Sequence, residues 1–206
     1  MLTLHFAPNT CALASLIALE ESGLAFEVKT VDFAVSEQRS PAYLEINPKG
    51  RVPALATDRG VLTETPAILA YIAQVTPERR LAPLDDPFAF AQLQAFTAYL
   101  CSTVHVAHAH FRRGARWSDD PAAQETMRAK VPQNMAECFG LIEATMPAGP
   151  WAMGEAYSVA DPYLFTISGW LKSDGVDIDG FPRVAAHRAR MLERPAVARA
   201  LERAAG

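Results

Sequence analysis

The sequence predicts two domains, an α/β domain followed by an all-α domain, and three observations support that prediction. Short β-like runs alternate with helical stretches over residues 1–80. Residues 76–87 contain three prolines and several charges without periodicity, as connections between domains do. Beyond them, the periodic stretches have helical spacing. We therefore expect an α/β domain over residues 1–77, a linker over residues 78–87 and an all-helical domain over residues 88–206.

The elements of the first domain follow from local patterns. Strand-like runs are short and apolar or alternate with period two, whereas helices place apolar residues three and four apart. Gly23 is positioned to end the first helix, and Pro66 occupies a first helical turn, where its missing N–H is harmless. The patterns predict strands over residues 2–6, 26–31, 52–56 and 61–63, and helices over residues 10–21, over residues 42–46 and from Thr65.

The second domain contains only helical patterns. Ser158 and Asp161 have the spacing of a capping box, in which an N-cap side chain and an acid three residues later satisfy exposed N–H groups. We expect Asp161 to be structural, with a loss of about 1 kcal/mol on replacement by alanine. The predicted helices cover residues 88–113, 121–146 and 158–172, with two shorter ones within 183–205.

Composition excludes several functional classes. Half of the residues are hydrophobic, 20% are charged and the net charge is −4, with both signs spread evenly along the chain. A nucleic-acid or anionic-membrane surface is therefore not expected. The sequence has neither a secretory leader nor an apolar run long enough to cross a membrane, so we expect a cytoplasmic location.

Three widely spaced cysteines disfavour a disulfide framework and a zinc knuckle. Cys11 follows the first strand and begins the first helix, where free N–H groups and the helix dipole would stabilise a thiolate. The alternative is a small apolar side chain packed under the turn. Cys101 and Cys138 are predicted to pack between helices. His105 and His108 share a helix face, but they lack further ligands at metal-binding spacing, so we predict no metal site.

Two proline motifs indicate binding of a peptide-like ligand. A cis bond at Val52-Pro53 would offer a strand edge to an extended peptide, although a proline that only blunts an edge is the alternative. Glu64 and Thr65 precede a helix, where Thr65 would be the N-cap and Glu64 a partner for an amine. Simple helix capping is the alternative.

Taken together, these motifs resemble the cytosolic glutathione transferases over essentially the whole chain. The resemblance rests on NPKGRVP at residues 47–53, LTETPAI at residues 62–68, and Gly154 followed by SVAD at residues 158–161. The segment FAPNTCAL at residues 6–13 makes the bacterial beta class the most similar one. The family implies a thioredoxin-like amino-terminal domain, an all-helical carboxy-terminal domain and a homodimer.

The resemblance also implies roles for individual residues. Cys11 would contact the glutathione sulfur, and His105 would line the catalytic cleft. Glutathione would serve as co-substrate, with no metal. The glutathione-binding residues would be Thr10, Lys49, Val52, Pro53, Glu64 and Thr65. A pocket for a small hydrophobic electrophile would be lined by Tyr99, Phe111, Trp117 and Tyr163.

The chain also departs from the beta-class pattern. His5 and Phe6 stand where that class commonly has a tyrosine, and Ala98, Thr103 and Val106 replace polar residues that help to bind glutathione. Two chemistries follow, namely conjugation of glutathione to an electrophile and thiol-disulfide exchange through Cys11. A non-enzymatic binding protein that keeps the fold is the competing hypothesis.

Overall fold

A four-stranded sheet forms the centre of the amino-terminal domain in the computed structural model, which describes residues 1–205. The strand order is β2-β1-β3-β4, with β1 parallel to β2 and antiparallel to β3. The predicted strands are confirmed, although β3 begins two residues later than expected. Their bounds are β1 Leu2–Phe6, β2 Phe26–Thr30, β3 Ala54–Thr57 and β4 Gly60–Thr63.

Three helices cover this sheet and complete the thioredoxin-like arrangement. They are α1 Ala12–Ser22, α2 Pro41–Ile46 and α3 Thr65–Val75. Gly23 ends α1 with a φ of 72°, a left-handed conformation that costs glycine little. Leu4 of β1, Leu16 of α1 and Ile68 of α3 are fully buried together in the core. The first turns of α1 and α3 face the second domain.

The second domain is helical, as predicted, but two helices differ from the expectation. Residues 88–113 do not form one helix, because the five-residue π-helical turn Leu100–Val104 interrupts it, with the His105 N–H donating to the Leu100 carbonyl. The predicted helix over residues 158–172 is also shorter. The observed helices are α4 Pro87–Tyr99, α5 His105–Arg113, α6 Pro121–Thr145, α7 Ala160–Ser168, α8 Pro182–Leu192 and α9 Pro195–Ala205.

The two domains share one continuous hydrophobic core. Helix α1 packs against α7 and α9, and the segment between the domains buries Leu81, whose carbonyl accepts a hydrogen bond from the Val159 N–H at 2.8 Å. Arg194 forms a two-pronged ion pair with Glu21 across the same junction. Within residues 1–205, no helix is both long and apolar enough to span a bilayer.

Candidate functional site

A cleft of about 670 Å³ lies between the two domains. We call its first side the thioredoxin-like wall, formed by Val52, Pro53, Glu64 and Thr65, and its second side the helical wall, formed by Cys101, His105, His108, Arg112 and Arg116. Cys11 lines the cleft as well. Most of the predicted site residues therefore come together, namely Thr10, Cys11, Val52, Pro53, Glu64, Thr65, His105, Trp117 and Tyr163.

Cys11 occupies the turn between β1 and α1 and is only 8% exposed. Its thiol donates a hydrogen bond to the Val52 carbonyl, 3.7 Å away. Burial raises the pKa of the thiol to about 11, and the Thr65 hydroxyl opposes this shift only in part. The prediction of a thiolate stabilised by the helix terminus is therefore wrong. Burial is the largest cause of the shift, and a thiol with a pKa of about 11 is protonated at neutral pH.

The loop before β3 holds the main chain of the thioredoxin-like wall in place. The Tyr43 hydroxyl and the Asn47 side-chain amide both donate to the Arg51 carbonyl, at 2.8 and 2.7 Å. The next peptide bond, Val52-Pro53, is cis, as predicted. Two side chains thus hold the Arg51 carbonyl, and with it the loop that places Val52 at the cleft.

Glu64 and Thr65 stand at the start of α3. Glu64 has a φ of 73°, a strained backbone of the kind that concentrates at functional sites. Thr65 was expected to be the N-cap but is instead the first helical residue; Glu64 precedes the helix, and no side chain caps it. The first N–H groups of α3 are therefore available to an anion.

Two predicted glutathione contacts point elsewhere. Lys49 does not line the cleft; its ammonium group contacts Glu64 and donates to the Thr63 hydroxyl at 2.7 Å. The Thr10 hydroxyl lies at the cleft, but it donates to the Ala7 carbonyl at 2.7 Å and accepts from the Ala12 N–H at 3.3 Å. Thr10 thus secures the start of α1.

The helical wall presents two histidines beside a tryptophan. The rings of His105 and His108 lie 4.9 and 4.2 Å from that of Trp170, and the latter pair is stacked. Nδ1 of His108 is 2.8 Å from the buried Asp174 carboxylate, which fixes its ring. Burial, together with the charges of His108 and Arg116, lowers the pKa of His105 to about 4. His105 is therefore neutral at physiological pH.

Tyr163 and Trp117 line the cleft as predicted pocket residues, and Tyr163 is fully buried. Within residues 1–205, no group meets hydrogen-bond geometry with the Tyr163 hydroxyl. Burial is the main cause that raises its pKa, and the neighbouring Cys11 and Cys101 raise it further. The hydroxyl and the two thiols line the same cleft. Cys101, on the π-helical turn, packs against the hydrophobic core, as expected, and also lines the cleft, which was not expected.

Tyr99 and Phe111 were predicted to line the pocket, and the structure corrects both. Tyr99 lies one residue before the π-helical turn, and its hydroxyl is 3.5 Å from the Cys138 carbonyl of α6. Phe111 packs against the hydrophobic core, and the Arg128 guanidinium bonds to its carbonyl. A continuous helix would have given Tyr99 a different direction, so the error follows from the unforeseen turn.

Asp161 anchors the helical domain behind the site and is fully buried. Its carboxylate accepts from the N–H groups of Ala152 and Ser158, both at 2.7 Å, and lies 2.9 Å from Nε2 of His187. Only half of the predicted capping box forms, because the Ser158 hydroxyl accepts from the Ala160 N–H rather than from that of Asp161. Asp161 holds three segments together and does more than cap α7.

The departures from the beta-class pattern occupy distinct environments. His5 is buried in β1 with its ring edge-on to Tyr43, at 5.8 Å between centroids. Val106 lines the cleft, whereas Ala98 and Thr103 are exposed. Within residues 1–205, no group of three or more His, Cys, Asp or Glu side chains is arranged to hold a metal ion.

Comparison with known proteins agrees with this geometry. The family model described as "Glutathione S-transferase, N-terminal domain" matches residues 2–74, and "Glutathione S-transferase, C-terminal domain" matches residues 105–195. Glutathione S-transferase GstA of Escherichia coli O157:H7 is 31% identical over 201 residues, covering 96% of each chain.

Two solved structures are similar over nearly the full length. A glutathione transferase homologue from Sulfitobacter, with bound glutathione, is 46% identical with a TM-score of 0.95 and 98% of each chain covered. A bacterial beta class glutathione S-transferase from Sphingomonas chungbukensis is 33% identical with a TM-score of 0.85, again with 98% of each chain covered.

Proposed function

The chain belongs to the glutathione S-transferase family, and we propose that it is a beta-class enzyme that conjugates glutathione to carbon electrophiles. The observation that carries this proposal is the buried, protonated Cys11 at the end of the cleft. A thiol that keeps its proton is a hydrogen-bond donor. Cys11 therefore assists a second thiol, that of glutathione, as the nucleophile.

Glutathione lies along the thioredoxin-like wall in this proposal. The main chain of its cysteinyl residue pairs with Val52 as a short strand addition. Its γ-glutamyl ammonium group binds Glu64, and its γ-glutamyl carboxylate binds the uncapped N–H groups of α3 and the Thr65 hydroxyl. A Sulfitobacter homologue with bound glutathione supports glutathione as the co-substrate. Lys49 acts through Glu64, which it contacts and positions.

Thiol activation then follows from hydrogen bonding. The Val52 carbonyl accepts the cysteinyl N–H of glutathione, which releases the Cys11 thiol from its present bond to that carbonyl. Cys11 donates instead to the glutathione sulfur, and a donor favours the charged form of that sulfur and lowers its pKa. The thiolate forms a bond to the electrophilic carbon as the leaving group departs with its electron pair.

His105 completes the sulfur site from the helical wall. Because its pKa is lowered to about 4, it is a neutral imidazole that brings no positive charge to the thiolate. In this proposal a ring nitrogen of His105 forms a hydrogen bond with the glutathione thiol before the reaction. The thiol proton then passes to water. Trp170 packs on His105 and limits its motion, with 4.9 Å between ring centroids.

Substitution of Cys11 tests this mechanism. Cys11→Ser retains a donor and should keep conjugation of chlorodinitrobenzene within about tenfold of wild type, whereas Cys11→Ala should lose about 10- to 100-fold. Cys101→Ser serves as the matched control in the same cleft. Equal losses in the two Cys11 variants, or no loss in Cys11→Ala, would contradict a donor role.

Thiol-disulfide exchange through Cys11 is the second candidate, and the place of Cys11 in the cleft that would hold glutathione favours it. In this reaction the Cys11 thiolate attacks the glutathione sulfur of a mixed disulfide, and the other sulfur leaves as a thiolate. A glutathione thiolate then attacks the glutathione sulfur of the Cys11–glutathione disulfide, which releases oxidised glutathione and restores the Cys11 thiolate. A pKa of about 11 leaves little thiolate for the first step. Intact-mass analysis after incubation with oxidised glutathione distinguishes the candidates. An adduct on Cys11 at neutral pH supports exchange, and its absence supports conjugation.

We also propose that the enzyme works as a cytosolic homodimer. The family resemblance motivates both expectations, and three free cysteines fit a reducing compartment. Large apolar side chains remain exposed on the chain, including Phe88 at 73%. Light scattering over a dilution series should give the mass of two chains, and cell fractionation should recover the protein in the cytosolic fraction.

A further inference from the structure

Five arginines line the cleft, and they come from both domains. Within residues 1–205, none of the five guanidinium groups lies within ion-pair distance of a carboxylate. They are Arg39 and Arg51 from the thioredoxin-like domain, and Arg112, Arg113 and Arg116 from the end of α5 and the turn that follows it.

This lack of counter-charges is local to the cleft. At the domain junction, Arg194 pairs with Glu21, and both Arg199 and Arg203 pair with Glu20. In the cleft, Glu64 is the one acidic residue among the lining side chains of residues 1–205, and Lys49 already contacts it. The nearby Asp174 carboxylate is engaged by His108. The cleft therefore carries a surplus of positive charge.

The guanidinium groups are close enough to affect one another. Burial lowers the pKa of Arg116, and the charges of Arg51, Arg113 and Arg39 lower it further. Like charges gathered in a cleft with low-dielectric walls attract an anionic ligand, and a planar guanidinium matches a carboxylate with two parallel hydrogen bonds.

Glutathione uses only part of this charge. Its γ-glutamyl carboxylate lies at the start of α3, so its glycyl carboxylate alone remains for the arginines. Arg39 and Arg51 stand on the same domain as the tripeptide. Arg113 lies 6.0 Å from the Phe33 ring of that domain, whereas Arg112 lies 5.5 Å from the Phe111 ring of its own helix, both at cation-π distance. Arg112 and Arg116 are left on the helical wall, in a cleft that is also lined by Trp117 and Trp170.

We propose that the second substrate is an organic acid: an electrophile whose flat apolar part packs against Trp117 and Trp170 and whose carboxylate binds Arg112 and Arg116. This inference rests on the proposed conjugation and replaces the small hydrophobic electrophile expected from the sequence with an anionic one. The two arginines select the substrate, whereas the thioredoxin-like wall and Cys11 handle the glutathione.

Binding of unreactive ligands tests the inference apart from catalysis. Dinitrobenzoate and its neutral isostere dinitrobenzamide lack a leaving group, so calorimetry measures affinity alone. With S-methylglutathione present to occupy the tripeptide site, wild type should bind the acid at least about tenfold more tightly than the amide. The preference should shrink as salt is added. Equal affinities in wild type would overturn the inference.

Variants assign the preference to the helical wall. The double variant Arg112→Gln/Arg116→Gln should bind acid and amide equally. Arg59→Gln removes one positive charge from the exposed β3–β4 turn and should retain the preference. Arg116→Gln alone should retain an intermediate preference and serves if the double variant fails to fold. The assignment of the carboxylate to Arg112 and Arg116 is contradicted if these cleft variants keep the full preference for the acid over the amide. It is also contradicted if Arg59→Gln loses that preference to the same extent.

Turnover separates this inference from the proposed function. Chlorodinitrobenzene and chlorodinitrobenzoate differ by the carboxylate, and wild type should favour the acid in kcat/KM. Conjugation of the neutral compound without any acid preference refutes only the inference. Tight binding of dinitrobenzoate without conjugation of either electrophile refutes the proposed function and leaves the acid site intact.

Discussion

The two walls of the cleft differ in what they present to a ligand. The thioredoxin-like wall offers mainly main-chain groups, at Val52 and at the uncapped start of α3, together with the side chains of Glu64 and Thr65. The helical wall offers side chains, on a π-helical turn and on α5. Main-chain groups persist when side chains are substituted, so the first wall suits the constant peptide of glutathione. Substitutions alter side chains directly, so the second wall suits the substrate that varies between related proteins.

The largest predicted effect concerns the support of the helical wall. Asp161→Ala leaves the N–H groups of Ala152 and Ser158 and the ring of His187 without their acceptor in the core. We expect a loss of about 3–5 kcal/mol in the free energy of unfolding, well above the value for a simple cap. Urea denaturation measures it.

Asp120→Ala is the matched control for that variant. Asp120 caps α6 at an exposed position, where its carboxylate accepts from the Ala122 N–H at 3.0 Å. We expect this change to cost about 1 kcal/mol. If Asp161→Ala costs no more than Asp120→Ala, Asp161 is only a cap, and the support of the wall lies elsewhere.

The next effect is the pH dependence of stability from His105. Its pKa falls from 6.5 in the unfolded chain to about 4 in the folded one, so the unfolded chain binds the extra proton between these values. The free energy of unfolding is therefore at its full value above pH 6.5. It falls by at most about 3 kcal/mol, through His105, as the pH drops towards 4. His105→Gln lacks this contribution. On acidification the unfolding free energy of wild type should fall more steeply than that of the variant, and parallel pH curves would contradict the prediction.

The smallest effects distinguish two charged residues of the thioredoxin-like wall. Glu64→Gln removes the proposed partner of the γ-glutamyl ammonium group and should weaken binding of S-methylglutathione by about 10- to 100-fold. Lys49→Met removes only an exposed ion pair and should change the affinity by less than about fivefold. Calorimetry measures both. Equal losses would place Lys49 in direct contact with the tripeptide.

The two walls also differed in how well the sequence predicted them. The strands, the cis bond at Val52-Pro53 and the position of Glu64 and Thr65 at the start of α3 followed from proline positions and alternating hydrophobicity, which are local signals. The π-helical turn has no such signal. It adds one residue to the helix, and the apolar residues before and after that insertion keep the same helical spacing. The direction of Tyr99 and the place of Cys101 in the cleft were missed for that reason.

The ionisation of Cys11 was predicted wrongly for a different reason. Its position at a helix terminus is visible in the sequence, but its burial depends on Val52, Thr65 and Tyr163, which are distant in the chain and close in the fold. Desolvation depends on such tertiary neighbours, and here it is the larger effect. The surplus of cleft arginines is likewise tertiary, since the sequence has evenly mixed charges.

A direct titration of Cys11 tests whether this enzyme uses a protonated cysteine beside the glutathione sulfur. The double variant Cys101→Ser/Cys138→Ala leaves Cys11 as the only thiol. The rate of its alkylation by a small neutral iodoacetamide, followed against pH, gives its pKa. We predict an inflection at about 11, with little reaction at neutral pH. An inflection near or below neutral pH would show a thiolate at Cys11 and would contradict the proposed mechanism.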